Sequence, residues 1–153
     1  MSKATVIDQT SNQLHVDYDY SKIFVWSNRY DKGSLLNASG GVLSYSPGLV
    51  VARIAATNKV VPFDETGTDG SQIPIGILKT SVTDLADTAE KDVNFCISGD
   101  VVEGKITFIT AATLDTVVTI GTGTENTRIV RDMIQSLGIK ILPSTELNVA
   151  DNS

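Results

Sequence analysis

The chain is poor in the residues from which catalytic centres and stapled domains are built. It has one cysteine, Cys96, and one histidine, His15, among 153 residues. A single cysteine forms no intrachain disulfide, which excludes a small secreted scaffold held by bridges. A single histidine leaves no His-based dyad, and any nucleophile–histidine chemistry would have to use His15. No window approaches the ~20 apolar residues that a membrane helix needs, so no membrane partner is expected. Met1-Ser2-Lys3-Ala4 leads into a polar stretch with no apolar signal core, so secretory export is not expected. The sequon Asn37-Ala38-Ser39 then reads as a chance occurrence. Basic residues are few and scattered: 12 Lys and Arg stand against 18 Asp and Glu, for a formal net charge of −6. Such a surface is unsuited to gripping phosphate backbones, so no nucleic-acid partner is expected.

What is abundant is Val, Ile and Thr. β-branched side chains favour pleated, half-buried surfaces. The length suits one domain with a real core. Leu14, Val16, Tyr18 and Tyr20 alternate with His15, Asp17 and Asp19, the pattern of a strand with one apolar face. Strands are also predicted at Ile23–Trp26, Leu49–Ala55, Val60–Phe63, Ile75–Val82, Val93–Val102, Ile106–Ile109 and Val117–Ile120. Asn58 suits the left-handed position of the turn between the second and third of these runs. Asn28–Gly48, rich in Gly, Ser and Asn, reads as a long ordered loop with strand pieces near Leu35 and Val42. Thr83–Asp92 is acidic and reads as a solvated loop or one turn of helix. The spacing of Ile129, Val130, Met133, Ile134 and Leu137 predicts a helix over Glu125–Leu137. Thr124 or Thr127 would cap it, and Gly138 would stop it. Ile139, Ile141 and Leu142 read as a closing strand ended by Pro143.

The candidate chemical constellations are weak. Gly121-Thr122-Gly123 follows a strand and opens the expected helix, as a phosphate-binding loop does. Asn126 replaces the third glycine of that motif and no Lys-Ser/Thr pair follows, so a plain turn is favoured. His15, Asp17 and Asp19 share a strand face and could reach a metal, but such a face is more often simply wet. Asp64, Glu65 and Asp69 offer oxygens without the spacing or distal Glu of an EF-hand. Cys96 lies in a β run without a basic neighbour, as a small apolar residue of a core or interface does. Tyr18, Tyr20, Trp26, Tyr30 and Tyr45 crowd the first third of the chain, where they serve a core or a protein interface. No catalytic residue, metal or cofactor is therefore expected.

The most informative stretch is Thr66–Leu78, T-G-T-D-G-S-Q-I-P-I-G-I-L. A turn-rich loop enters a strand whose Pro74 cannot donate a ladder hydrogen bond, which predicts an edge or a bulge. Thr68, Asp69 and Gly70, then Gly76, Ile77 and Leu78, then Ser98 and Gly99 after an acidic stretch, follow the order of a known family. Near the end, Arg131–Ile141 carries a short helix and the step Gly138-Ile139. By these motifs, over roughly Gly48–Leu142, the chain resembles the lambda-type head decoration proteins of tailed phages.

The resemblance implies a mainly β (β-rich α+β) fold: a small barrel- or sandwich-like domain with one short C-terminal helix and an extended N-terminal arm. Residues 1–20 would be the arm, 21–143 the domain and 144–153 a polar tail. It implies a homotrimer bound to the major capsid protein on the outside of the expanded head, made in the bacterial host cytoplasm and clamping capsomers against DNA pressure. In the family an arm orders on the capsid. Here Leu14, Val16, Tyr18 and Tyr20 would be its anchoring face, although their alternation also suits a strand of the body or of a trimer neighbour. The other readings are a tail or fibre-attachment component and a trimeric β nucleotide hydrolase.

Overall fold

The structure is a computed structural model that describes residues 3–6 and 16–19 as backbone, and residues 22–121 and 126–143 in full. The strands in chain order begin with β1 (Lys3–Val6), β2 (Val16–Asp19), β3 (Phe24–Leu36), β4 (Leu43–Tyr45), β5 (Val50–Arg53) and β6 (Val60–Pro62). They continue with β7 (Pro74–Leu78), β8 (Val82–Leu85), β9 (Glu90–Val102), β10 (Val117–Thr119) and β11 (Thr127–Ile129). Helix α1 (Val130–Ser136) and β12 (Ile139–Leu142) follow.

Two long strands frame the molecule. β3 and β9 pair antiparallel from Leu36↔Glu90 to Phe24↔Val101. β6 joins β3 in parallel at Leu35↔Val60, β5 pairs with β6, and β7 pairs with β5. β7 then returns to β9 through Ile77↔Cys96 and Leu78↔Phe95. The order β9-β3-β6-β5-β7-β9 is a closed five-stranded barrel. Its interior holds Leu35, Val51, Val60, Leu78, Val93 and Phe95, and the β4–β8 ribbon closes one region of it with Tyr45, Val82 and Leu85. Burying such a side chain is worth about 1.5–3 kcal/mol, so this apolar set is what selects the inward face of each strand.

A second core lies outside the barrel wall. β12 adds in parallel to Gly99–Val102 of β9. Val130, Met133 and Ile134 of α1 pack with Val101, Leu114, Val118, Ile139 and Ile141. β9 serves both cores: Phe95 faces the barrel, whereas Cys96 faces the second cluster. β1 and β2 pair with each other, from Lys3↔Asp19 to Val6↔Val16.

The mainly β fold with a single short helix near the C-terminus is as the sequence suggested. The turn before β6 places Asn58 at φ 60°, and Gly138 after α1 sits at φ 107°. Pro74 pairs with Ala52 at a break in the β5–β7 register, so of the two expected places it takes the bulge.

Several expectations are corrected. Asn28–Leu36 is not loop but most of β3; its polar Arg29, Asp31 and Lys32 face solvent opposite β9. Register breaks near Trp26 and Arg29, with Ser27 at φ 53°, scramble its alternation. The strand expected at Ile75–Val82 stops at Leu78; of Thr83–Asp92, expected as loop or one helical turn, Thr83–Leu85 belongs to β8, paired with β4, and Glu90–Asp92 to β9. Ile106–Ile109 forms only one bridge, Leu49↔Thr107. The helix starts at Val130, because Thr127–Ile129 pairs with Val117–Thr119 instead. Ile129 holds the N-cap position with no side-chain cap, so Thr127 does not serve there; Thr124 lies outside the described residues. Backbone acceptors replace the cap: Thr116 O takes the Val130 N–H at 3.0 Å and Leu114 O takes the Arg131 N–H at 2.7 Å.

Candidate functional site

The residues singled out by motif lie on the seams of this fold. In the connection from β6 to β7, Asp69 Oδ1 accepts the Ser71 hydroxyl at 2.6 Å and the Ser71 N–H at 3.1 Å. Those bonds, the hydroxyl foremost, hold the Asp69 carboxyl below the usual carboxylate range. The Asp69 carbonyl accepts the Ala55 N–H at 2.8 Å, which ties the loop to the end of β5. Gly70 sits at φ 108°, and a Cβ there would lie 2.5 Å from the Arg53 carbonyl oxygen. Only glycine suits both demands. Thr68 is exposed on the same turn.

Gly76, Ile77 and Leu78 form the barrel closure. A Cβ on Gly76 would stand 2.4 Å from the Cys96 carbonyl oxygen and 2.8 Å from the Phe95 ring. Ile77 and Leu78 are fully buried, one toward each core. Ser98 and Gly99 meet Gly138 and Ile139 where β12 joins β9: Gly99 donates its N–H to Gly138 O at 3.1 Å. Cys96 is buried, its thiol donating to Ser98 O at 3.1 Å, and burial pushes its pKa up. It is a core residue.

Two of the four expected capsid anchors fall on a described strand. Val16 and Tyr18 are on β2, opposite Val6 and Ala4. Leu14 and Tyr20 lie outside the described residues, as does His15, while Asp17 and Asp19 are on β2. Among the described residues no three His, Cys, Asp or Glu side chains gather as a metal site would require. Gly121 lies two residues past the end of β10, and Ile120 N–H bonds Asn126 O at 2.7 Å, just before β11. The glycine stretch therefore joins two antiparallel strands rather than opening the helix; Thr122 and Gly123 themselves lie outside the described residues.

The structure adds a surface that sequence reasoning missed. Val117 and Ile129, directly opposed on the β10–β11 hairpin, are 60% and 39% exposed. Ile73 and Leu137, also exposed, edge a shallow groove with Pro74, Ile120, Arg128 and Met133. Reading Thr127–Ile129 as helix hid the Val117–Ile129 pair. Of the early aromatic residues, Tyr45 is buried, Trp26 is 45% exposed beside the β3 bulge, and Tyr30 packs edge-on to Phe24 under the Lys79 ammonium at 4.0 Å. A groove beside the β3–β9 pair is lined by Lys32, Ser34 and Asp92, and there the Ser34 hydroxyl donates to Glu90 Oε2 at 2.8 Å.

A family model described as bacteriophage lambda head decoration protein D matches residues 27–124. The chain belongs to that family. It is a head decoration protein of a phage, a structural component associated with the capsid of the virion. The matched span runs from within β3 to just past β10 and so takes in every strand of the barrel except Phe24–Trp26 of β3. It starts earlier than the likeness read from motifs, because β3 is a wall of the barrel and not a peripheral loop. It ends before α1, so the second likeness at Arg131–Ile141 lies outside it. No match is found among curated proteins.

Proposed function

We propose that this decoration protein binds the outer surface of the expanded head as a homotrimer, with the major capsid protein as its partner, and stabilises the shell against the pressure of packaged DNA. The observation that carries the reading is the family match across the barrel. The role is structural, through surface contacts rather than catalysis, and needs no cofactor or metal. The chain divides as an arm over 1–20, a body over 21–143 and a tail over 144–153, with Leu14, Val16, Tyr18 and Tyr20 as the arm's anchoring face. A β-forming segment outside a closed barrel suits strand addition to a capsid-protein sheet, where main-chain hydrogen bonds offset the entropy of ordering. Three such arms on one trimer would bind with the gain of multivalency.

The test is co-sedimentation of the purified protein with undecorated heads, before and after expansion. Saturable binding to expanded heads alone is expected, with three copies per site. A chain lacking residues 2–20 should keep a cooperatively unfolding body and lose binding. Undiminished decoration by the shortened chain would overturn the arm assignment. No binding by the full chain to either form of the head would overturn the decoration role and favour a tail component.

A further inference from the structure

Asp69-Gly70 is the chain's only Asp–Gly dipeptide, and the chain has no Asn–Gly. This pairing is chemically labile in any flexible peptide, because glycine places no side chain in the way of its own amide. The Gly70 nitrogen attacks Asp69 Cγ, an N–Cγ bond forms, a Cγ–O bond breaks, and one water leaves with the amide proton. The resulting succinimide takes water back at either carbonyl. One product is the original aspartate; the other is isoaspartate, in which the chain runs through the side-chain carbon. No oxidant or co-reactant is needed.

The fold cannot discard the glycine. Its φ of 108° and the 2.5 Å approach of the Arg53 carbonyl oxygen to a Cβ exclude other residues. The labile bond is thus retained of necessity, and the surrounding loop occupies both reacting groups. The Gly70 N–H, which must be released for attack, donates to Gln72 Oε1 at 2.9 Å. The Asp69 carboxylate is held by the hydroxyl and N–H of Ser71. Ser71 and Gln72 are themselves buried, 8% and 7% exposed, which is uncommon for such polar residues and fixes their geometry. Depression of the Asp69 pKa acts in the same direction, since the neutral carboxyl is the form that loses hydroxide as water.

We propose that Asp69-Gly70 is an isoaspartate-forming site held in check by Ser71 and Gln72, so that it reacts only when the β6–β7 loop opens. Reaction there is damaging in a defined way. An added backbone carbon between Asp69 and Gly70 displaces the Asp69 carbonyl from the Ala55 N–H and Gly70 from its φ. A chain once isomerised cannot close this loop against β5.

The experiment compares isoaspartate accumulation in the full chain, native and in denaturant, at neutral pH. Peptide mapping and enzymatic isoaspartyl methylation provide the readouts. The denatured chain should accumulate isoaspartate at residue 69, and the native chain far more slowly. Gln72→Ala should raise the native rate about fivefold, the factor equivalent to one ordinary hydrogen bond, without altering the denatured rate. Ser71→Ala should act likewise, whereas Leu85→Ala, in the other end of the barrel core, should leave the native rate unchanged. Isomerised chains should fail to refold on dilution. Equal rates in native and denatured wild type would overturn the proposal whatever the variants do. So would native rates unmoved by both loop substitutions.

Discussion

Asn37 offers the sharpest quantitative prediction. It is fully buried, which is rare for an asparagine. Its Nδ2 donates to Gly41 O at 2.7 Å and to Leu85 O at 2.8 Å, and its Oδ1 accepts the Ser39 N–H at 3.0 Å. Its backbone bonds Ala89 O and the Thr88 N–H, so one residue ties the start of the β3–β4 connection to the β8–β9 turn. Asn37→Ala removes all three side-chain bonds. Gly41 and Ser39 are exposed and can turn to water. The bond to Leu85 O is buried, so that carbonyl loses its partner outright. A stranded buried acceptor costs about 1–3 kcal/mol and each of the two remaining bonds about 0.5–1.5, which places the total loss at about 2–6 kcal/mol. Asn37→Asp keeps the shape and the acceptor for Ser39, but puts an accepting carboxylate oxygen where the amide donated to two carbonyl oxygens. At neutral pH it should cost at least as much as the alanine change. Burial and those oxygens would raise the new carboxyl's folded pKa above its unfolded value. Its penalty should therefore shrink as pH falls and grow as pH rises through the unfolded carboxylate range. Urea unfolding followed by circular dichroism measures both variants. A loss under about 0.5 kcal/mol for Asn37→Ala, below the usual value of a single hydrogen bond, would refute the reasoning.

Three further outcomes follow from the same structure. Gly76→Ala should destabilise by at least the 1–3 kcal/mol or so typical of overpacking, because its Cβ meets the Cys96 carbonyl at 2.4 Å; Gly41→Ala, with open space around its Cβ, should stay within about 1 kcal/mol of wild type in the same melts. The Cys96 thiol, buried with its pKa raised, should react with an aromatic disulfide reagent only at the rate of unfolding, and a native reaction as fast as a free thiol's would place it at the surface. Asp69 and Glu90 have carboxyl pKa values lowered, the first mainly by Ser71 and the second mainly by Lys59. Their contributions are present above the unfolded carboxylate pKa and are lost as pH falls through the folded values, so acid titration of stability should be shallower in Ser71→Ala.

Much of the barrel could be read from the chain because its inward faces alternate cleanly. β9 places Val93 and Phe95 inward, and β5 to β6 turn on an Asn fit for φ 60°. β3 could not be read, for a physical reason. Its outer face is polar, Gly33 stands where a side chain would collide with Val60, and its first half slips register at Ser27. Only β9, paired along it, makes Phe24–Leu36 one strand, and a partner sixty residues away leaves no local signal. The helix start failed similarly. Thr127, Arg128 and Ile129 are compatible with either state, and cross-strand pairing with Val117–Thr119 decides between them. Of the motif glycines, Gly70, Gly76 and Gly99 answer close backbone approaches and Gly138 answers a positive φ. The exposed Val117–Ile129 pair was invisible because it exists only once the hairpin does.

The closed barrel also bears on how a decoration protein can be a good partner without pairing with itself. A sheet edge is a template for any other strand, and closure removes it. Two edges remain on the sheet that forms the barrel, among the described residues. β12 pairs only with β9, is four residues long, turns Lys140 to solvent and runs into Pro143. The first half of β3 is bulged, with Ser27 at φ 53° interrupting its ladder. Short length, an exposed lysine, a following proline and a bulge are each devices that discourage strand addition. Both edges are thus poor acceptors for a second copy, even at the high local concentration that binding to one capsid imposes. The strand-forming sequence before residue 20 stands apart from the barrel's pairing order. If it is the segment that pairs with the capsid, recognition and self-avoidance reside in different parts of the chain. Lys140→Val with Pro143→Ser should then promote self-association beyond the proposed trimer while leaving affinity for expanded heads intact. Sedimentation velocity alongside the head-binding measurement separates the two effects, and loss of head binding with no self-association would show that β12 belongs to the capsid contact.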